Sequence, residues 1–442
     1  CPHTCAAVVR HAIGLDVEEA DRLRTWADDA DGAAARGRPE TARAALAHAL
    51  SAFPHHRALW MKAAALEREH GTAASLDEVL ALAVKRVPRA EVLWLMRAKE
   101  KWNAGKVAEA RGILMEAFAA NENSQEVWLA AVKLEWENDE TERARVLLSR
   151  ARERCPADRV YMKSALLERE HQQFEEAVRL LEEGIARNAH FGKFYMMGGQ
   201  ICSEDLHSVD RAREFYRRGL QQNPDSLDLW ILAATLEEKH GGTAPATDPT
   251  ASVGNITKAR SLLELGRLKN PASPSLWLAA IRLERRAGHA HLATSLTSRA
   301  LQECPAAGAL WAEEIATAPR AEQKGRSVDA IRKCADDPRV IAAVAGLFAE
   351  KDRKYAKARK WFERAAALDP DLGDTWARYL MFERASGTEG AAAEVARRCA
   401  AAEPKHGEVW CGVMKEMRNR RATVAEGLEL VVQEMARRAA AS

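Results

Sequence analysis

Charge of one sign is missing from this 442-residue sequence: 66 Lys and Arg stand against 64 Asp and Glu, a net of +2. A chain so balanced has no strong field to draw nucleic acid or an anionic membrane to it as a whole, so any such contact must come from a local patch. Long apolar runs are missing too, and without about 18 consecutive apolar residues no segment reads as a bilayer-spanning helix. The eight cysteines, Cys1, Cys5, Cys155, Cys202, Cys304, Cys334, Cys399 and Cys411, include no Cys-x-x-Cys pair. They are too sparse for a disulfide scaffold and fit reduced thiols of cytosol or nucleus. The first residue is Cys1 rather than Met, and residues 1–15 lack the charged, apolar and small-residue succession of a secretory signal, so the sequence reads as a fragment with a missing N-terminus.

Recognisable chemistry is also absent. A phosphate loop needs glycines and a Lys at fixed spacing, but Gly105-Lys106 and Gly192-Lys193 lack both the upstream Gly and the following Ser or Thr. The string Asp28 to Gly32 resembles a calcium loop only superficially, because Ala27 stands where the first Asp belongs and no Glu follows at the right distance. Cys1, His3, Cys5 and His11 are zinc-ligand types at a spacing that matches no common finger. His70, His171 and His240 each lie ten residues after an aromatic, so they are one structural position repeated, favoured near a helix C-terminus by its dipole. No nucleophile, paired acid and base, cofactor or metal site emerges, and the expectation is that the protein is not an enzyme.

What is present is a repeat. Nine of the twelve tryptophans fall on one ladder: Trp26, Trp60, Trp94, Trp128, Trp230, Trp277, Trp311, Trp376 and Trp410. Tyr161 and Tyr195 continue it between Trp128 and Trp230, and Ile341 marks a degenerate unit, giving about twelve units with a common step of 34 residues. A Glu follows the anchor by seven residues as Glu67, Glu135, Glu168, Glu237, Glu284 and Glu383. A proline precedes the anchor by six as Pro54, Pro88, Pro224, Pro271, Pro305, Pro370 and Pro404. Proline cannot continue a helix interior, so each marks the place where a second helix stops. Alanines recur sixteen residues after the anchor (Ala42, Ala110, Ala144, Ala177, Ala293) and twenty-three after (Ala49, Ala83, Ala117, Ala151, Ala300), where small residues let helices approach closely.

Within each unit two helically spaced apolar sets flank a break such as Asn138-Asp139, so each unit is a helical hairpin. The residue after the anchor is apolar in most units, and a helix with so wide an apolar face has to be covered by neighbours. The expected fold is all-α, a right-handed alpha-alpha superhelix over residues 1–442 with no strands. Residues 1–15 read as a partial repeat, 241–255 as a flexible insertion joining the two helices of one hairpin, and 408–442 as a C-terminal cap whose polar face carries Lys415, Arg418, Arg420, Arg437 and Arg438. The repeated Glu residues sit one per unit, too far apart for paired acid and base work, and are expected to pair with Arg or Lys. The segment 320–364 holds thirteen basic and seven acidic residues, and its cluster Lys351, Arg353, Lys354, Lys357, Arg359 and Lys360 is a candidate contact for RNA or an acidic partner, weighed against a solvated helix face.

A 34-residue hairpin with Trp, Ala, Ala and Pro at these phases resembles the tetratricopeptide repeat, and the Glu shifts the resemblance toward its half-a-TPR (HAT) variant. Longer strings resemble the pre-mRNA-processing factor 6 family of the spliceosomal U5 particle: EVLWLMRAKEKWNAGKVAEAR at 91–111, VWLAAVKLEWENDETERARVLL at 127–148, LWLAAIRLERRAGH at 276–289, ALQECP at 300–305, KGRSVDAIRKC at 324–334, DLGDTWARYLMFE at 371–383 and AEPKHGEVWC at 402–411. These cover nearly the whole chain and match the C-terminal HAT region of that family. The resemblance implies a nuclear, non-catalytic scaffold that bridges the U5 snRNP to U4/U6 in the tri-snRNP through other snRNP proteins, with limited contact to small nuclear RNA, no membrane and no small-molecule substrate. The alternative is a scaffold of another RNA-processing complex, such as a HAT-type mRNA 3′-end factor. A co-chaperone adaptor fits less well, because no Asn lies five residues after any anchor to form a carboxylate clamp.

Overall fold

The computed structural model describes residues 7–8, 18, 21–240, 249–350, 353–387 and 389–441. Among them are 24 α-helices, no β-strand, and one isolated bridge between Leu372 and His406. The chain divides into two compact units, Cys1–Asn188 and Ala189–Ser442. The first holds five helical hairpins, from Arg22–Ala35 with Pro39–Ala52 to Asp158–Glu170 with Phe174–Arg187. The second holds seven, from Gly192–Gln200 with Val209–Gln222 to Glu408–Met414 with Val424–Ala441. Twelve hairpins is the number that the aromatic ladder implies.

The phase positions each have a physical task. All the ladder aromatics are buried, and the indole N–H of Trp60, Trp94, Trp230 and Trp376 donates to the carbonyl of the proline six residues earlier at 2.8 Å. Proline ends the preceding helix and leaves its carbonyl free for this bond. The same oxygen takes a second donor from the far end of that same hairpin: Asn121, the C-cap of Val107–Ala120, reaches the Pro88 carbonyl through Nδ2 at 3.0 Å, and Asn270 Nδ2 reaches that of Pro224 at 3.1 Å. One carbonyl thus ties the end of a hairpin to both helices of the hairpin that follows it. Ala49, Ala83, Ala117, Ala151 and Ala300 are wholly buried, because a larger side chain there would hold adjacent helices apart.

The turn inside a hairpin falls eleven or twelve residues after the anchor and needs a left-handed residue. Gly37, Gly105 and Gly288 supply it with φ near 70–78°, and Asp139, Gln172, His207 and Arg353 do so at φ 49–63° without glycine's freedom. The hairpin of Trp60 turns differently: Gly71 is extended at φ −102°, and a reciprocal capping box between Thr72 and Ser75 starts the next helix.

The repeated Glu residues, buried apart from the half-buried Glu168, are partners of an Arg on the second helix of the preceding hairpin. The pairs are Arg43–Glu67, Arg111–Glu135, Arg145–Glu168, Arg213–Glu237, Arg260–Glu284 and Arg359–Glu383, with shortest separations of 2.6–2.8 Å. Each guanidinium meets both carboxylate oxygens, a geometry that offsets the cost of taking the carboxylate out of water. One rung carries the charges in reverse: Lys101 occupies the Glu phase and reaches Asp77, at the Arg phase, at 2.9 Å. Burial raises the Asp77 carboxyl, but the hydrogen bonds from Lys101 and Arg97 outweigh it and hold the group below the usual range.

Other departures from the repeat are local. In the hairpin of Tyr195 the first helix is short and runs into a π-turn at Ile201–Asp205, where Gly198 and Gly199 lie against the rings of Phe215 and Tyr216. Of the predicted loop at 241–255, residues 241–248 lie outside the described residues, and the helix Pro249–Lys269 begins within it. The partial repeat at 1–15 and the cluster Cys1, His3, Cys5 and His11 fall, apart from residues 7–8, outside the described residues. Asp28 to Gly32 lie within the helix Arg22–Ala35, where Asp31 receives Lys62 Nζ at 2.6 Å. The C-terminal hairpin buries Leu428, Val431 and Val432 in one cluster with Trp376, Tyr379 and Trp410. Among the described residues no helix is long and apolar enough to cross a membrane.

Candidate functional site

The first helices of the hairpins in the second unit line a groove of about 490 Å³. Its lining follows the repeat. Two residues before each anchor stand Asp228, Ser275, Ala309, Arg339, Asp374 and Glu408; one or two after stand Ile231, Leu278, Ala279, Ala312, Glu313, Ala342 and Arg378; five after stand Arg282 and Ala316. Steps of three and four residues keep these positions on one helix face, opposite the face that the anchor buries. Every hairpin from Trp230 to Trp410 therefore contributes at least one side chain to the groove.

Arg282 is the centre of the groove. Its Nε donates to Glu313 Oε2 at 3.0 Å, and its Nη1 donates to Glu408 Oε1 at 2.5 Å, across 126 residues of chain. Arg285 Nη1 holds the other oxygen of Glu313 at 2.8 Å. A third of the Arg282 side chain and about half of that of Glu408 (33% and 55%) stay in contact with water, yet the groove walls surround both. Burial works against the Arg282 charge, but its hydrogen bond to Glu408 and the field of Glu313 outweigh it and raise the guanidinium pKa. Burial likewise works against the Glu408 carboxylate, and Arg282, helped by the fields of Arg438 and Arg378, holds it below the usual range. The pair is charged at neutral pH and closes the groove between the hairpins of Trp277 and Trp410.

One end of the groove is rigid because two motif strings meet there. The Asp374 carboxylate accepts the backbone N–H groups of Glu408 at 2.7 Å and Trp410 at 2.8 Å, capping the helix Glu408–Met414 from the neighbouring hairpin. The Asp371 carboxylate accepts the Lys405 N–H at 2.6 Å, and the Gly373 N–H donates to the His406 carbonyl at 2.8 Å. Gly373 has no side chain because a Cβ there would lie inside the Trp410 ring, and Gly407 adopts φ 134° beside the Asp374 carboxylate. Segments 371–383 and 402–411 are thus one joint, which explains why both read as distinctive.

The anchors are structural side chains, all nine-tenths or more buried: Trp26, Trp60, Trp94, Trp128, Tyr161, Tyr195, Trp230, Trp277, Trp311, Trp376 and Trp410. None of those in the second unit lines the groove. The basic cluster is taken up in several tasks. Lys351 lies outside the described residues. Arg353 is the exposed left-handed turn residue, and Lys354 begins the helix Tyr355–Leu368 as its N-cap. Lys357 Nζ lies 4.2 Å from the Phe348 ring centroid, Arg359 is held by Glu383 at 2.6 Å, and Lys360 is exposed. Sequence reasoning missed Arg282, Glu313 and Glu408, since nothing in a linear pattern brings residues 126 positions apart together. Among the described residues no group of three or more His, Cys, Asp or Glu is placed to hold a metal ion.

Over 428 residues, 97% of its length, the chain is 48% identical to human pre-mRNA-processing factor 6, of which it covers 44%. Over 430 residues, again 97%, it is 39% identical to pre-mRNA-splicing factor prp1 of Schizosaccharomyces pombe, of which it covers 46%. Over 274 residues it is 26% identical to pre-mRNA-splicing factor 6 of Saccharomyces cerevisiae, covering 61% of this chain and 29% of that protein. The chain spans less than half the length of these relatives. No protein-family model matches it.

Proposed function

The chain belongs to the pre-mRNA-processing factor 6 family, and from that premise we propose that it is a non-catalytic scaffold of nuclear pre-mRNA splicing that bridges the U5 snRNP to U4/U6 in the tri-snRNP. The observation that carries the reading is the division of labour along each hairpin. Aromatics, alanines, prolines and the Arg–Glu rungs are spent on stacking, while the groove face of the second unit presents a different side chain from each successive hairpin. Such a surface suits extended contact with other proteins and holds no convergent acid, base or nucleophile for a reaction. The partners are other U5 and U4/U6 snRNP proteins. Any direct contact with small nuclear RNA falls to the exposed Arg353 and Lys360, since Arg359 is committed to Glu383.

The test is recovery of the tagged full-length protein from nuclear extract, with small nuclear RNAs read by blot and proteins by mass spectrometry. Co-purification of U5 with U4 and U6 supports the bridge. Recovery of the mRNA 3′-end machinery without those RNAs overturns it and favours a scaffold of another RNA-processing complex.

A further inference from the structure

We propose that the Arg282–Glu408 bridge is a clasp: it holds the second unit wound tight across its groove, and its release lets the hairpins of Trp277 and Trp410 swing apart so that the groove opens. This goes beyond the scaffold reading and rests on the geometry of the groove alone.

The span of the contact carries the argument. Between its two ends stand the hairpins of Trp311, Ile341 and Trp376, so the ends are four hairpin steps apart. Packed helices lie about 10 Å from one another, and four such steps in a straight stack would part the ends by about 40 Å. Arg282 Nη1 and Glu408 Oε1 nevertheless meet at 2.5 Å. The first helices of this unit therefore curl until two hairpins that do not stack on each other touch across the groove. The Arg–Glu rungs and the Lys62–Asp31 bridge join neighbouring hairpins, so they persist whatever the curvature. The Arg282–Glu408 bridge exists only while the curl does.

Both ends are fixed before they meet. On one side Arg282 Nε is tied to Glu313, whose other oxygen Arg285 holds, and Nη1 is left for Glu408. On the other side Asp374 caps the helix Glu408–Met414 through backbone N–H groups, so that helix keeps its place without the Glu408 side chain. Losing the one contact thus frees the two sides without undoing either. Ala309, Ala312, Ala316 and Ala342 line the wall between them, and a methyl group is too short to tie the groove shut. Water reaches 33% of the Arg282 side chain and 55% of that of Glu408, so the bridge contributes only what a partly screened pair does. Small rotations shared among four hairpin interfaces can offset an interaction of that size, which puts an open form within reach of the closed one. Entry to the groove is then governed by a single ion pair.

The experiment uses the full chain with a donor and an acceptor dye on keto-bearing residues introduced at positions 291 and 405, which leaves the native cysteines unlabelled. His291 lies on the helix Ala290–Glu303 and Lys405 shortly before Glu408–Met414, and both are exposed and outside the groove lining. Single-molecule energy transfer reads the ratio of open to closed molecules. In about 50 mM salt the parent should be mostly closed, and Glu408→Gln, which keeps the size and loses the charge, should raise the ratio about two- to fivefold. Salt at about 1 M, where the screening length falls to about 3 Å, should bring the parent to the level of Glu408→Gln and leave that variant where it was. Glu238→Gln, which breaks a bridge to Arg286 at 2.7 Å between neighbouring hairpins, should leave transfer unchanged. Circular dichroism checks that the variants stay helical, and the salt series on the parent needs no variant. Transfer in Glu408→Gln equal to that of the parent, a parent unmoved by salt, or equal opening in Glu238→Gln would each overturn the clasp. Any of these beside intact co-purification of U5, U4 and U6 leaves the splicing bridge standing; a working clasp without co-purification removes the splicing bridge alone.

Discussion

Removing Arg260 tests the Arg–Glu rungs, because its partner Glu284 is only 2% exposed. Arg260 donates from Nε at 2.6 Å and from Nη2 at 2.7 Å to the two oxygens of Glu284. At an effective dielectric of about 20, two unit charges about 4 Å apart attract by ~4 kcal/mol, and that attraction is what balances the carboxylate's lost hydration. Breaking a fully buried pair costs about 3–5 kcal/mol, but a third of the Arg260 side chain (34%) faces water, so screening lowers the figure. Arg260→Met should therefore cost about 2–3 kcal/mol. Arg260→Met with Glu284→Leu leaves no stranded charge and should recover to within about 1 kcal/mol of the parent. A repeat array this long does not unfold as one two-state transition, so the readout is native-state hydrogen exchange over peptides within 256–303. The hydrogen bond from Arg260 holds the Glu284 carboxyl below its usual range against burial, with His289 adding to it. A lowered carboxyl contributes its stability above the unfolded value of about 4.3 and loses it as pH falls through the lower folded value. The Arg260→Met penalty should hold steady from neutral pH to about 5 and shrink in more acid solution. A double variant no better than the single, or a penalty unchanged by acid, would refute the compensated-charge account.

Three further outcomes follow from single contacts. Trp94→Phe removes the indole N–H bond to the Pro88 carbonyl at 2.8 Å, whereas the Trp277 indole N–H has no acceptor among the described residues and a Phe ring there keeps the Arg267 stack. Local hydrogen exchange should show the Trp94 change costing about 1–2 kcal/mol more than Trp277→Phe, and equal costs would sink the anchor-to-proline bond. Gly373→Ala drives a methyl into the Trp410 ring and should loosen the last hairpin by about 1–3 kcal/mol, seen as faster tryptic cleavage after Lys405; unchanged cleavage would mean the joint is soft. Burial pushes the Cys399 thiol up to about 12, so maleimide at pH near 8 should label the half-buried Cys411 and spare Cys399 in the native protein, and prompt labelling of both would contradict that burial.

What could be read from the sequence is what recurs at a fixed step. The aromatic ladder and the prolines announce the hairpins because one bond, indole to proline carbonyl, repeats with them. The Glu row was visible, but its partners were not, although Arg43, Arg111 and Arg213 each stand 24 residues before their Glu and could have been found by that offset. The inverted rung Asp77–Lys101 at the same offset would have strengthened the case. Left-handed turns were hidden because Asp139, Gln172, His207 and Arg353 take the place of glycine. Within the basic cluster, composition could not separate Arg359, which belongs to a rung, from Lys360, which does not. The groove escaped altogether, because Arg282 and Glu408 meet only once the hairpins between them have stacked.

That last point bears on where specificity resides in such an array. The anchor, alanine and proline positions are filled alike in most hairpins, since the same neighbour covers them each time, and a position filled alike cannot tell one partner from another. The phase two residues before the anchor escapes this constraint: in the hairpins from Trp230 to Trp410 it reads Asp228, Ser275, Ala309, Arg339, Asp374 and Glu408, with charge and size changing at almost every step. Among the described residues the side chains of Asp228, Ser275, Ala309 and Arg339 make no hydrogen bond to a neighbouring hairpin, so they can be replaced at little cost to folding. Asp374 differs, because it caps the helix that carries Glu408, and Glu408 in turn closes on Arg282. A perturbation at Asp374 therefore reaches the groove wall as well as the joint, whereas one at Arg339 reaches only what lies in the groove. Asp374→Ala should lower both the local stability of residues 403–415 and the recovery of snRNP proteins, and Arg339→Ala should lower recovery alone; hydrogen exchange and co-purification measured on the same two variants separate them, and a loss of stability in Arg339→Ala equal to that in Asp374→Ala would show that the face is not free of the stack after all.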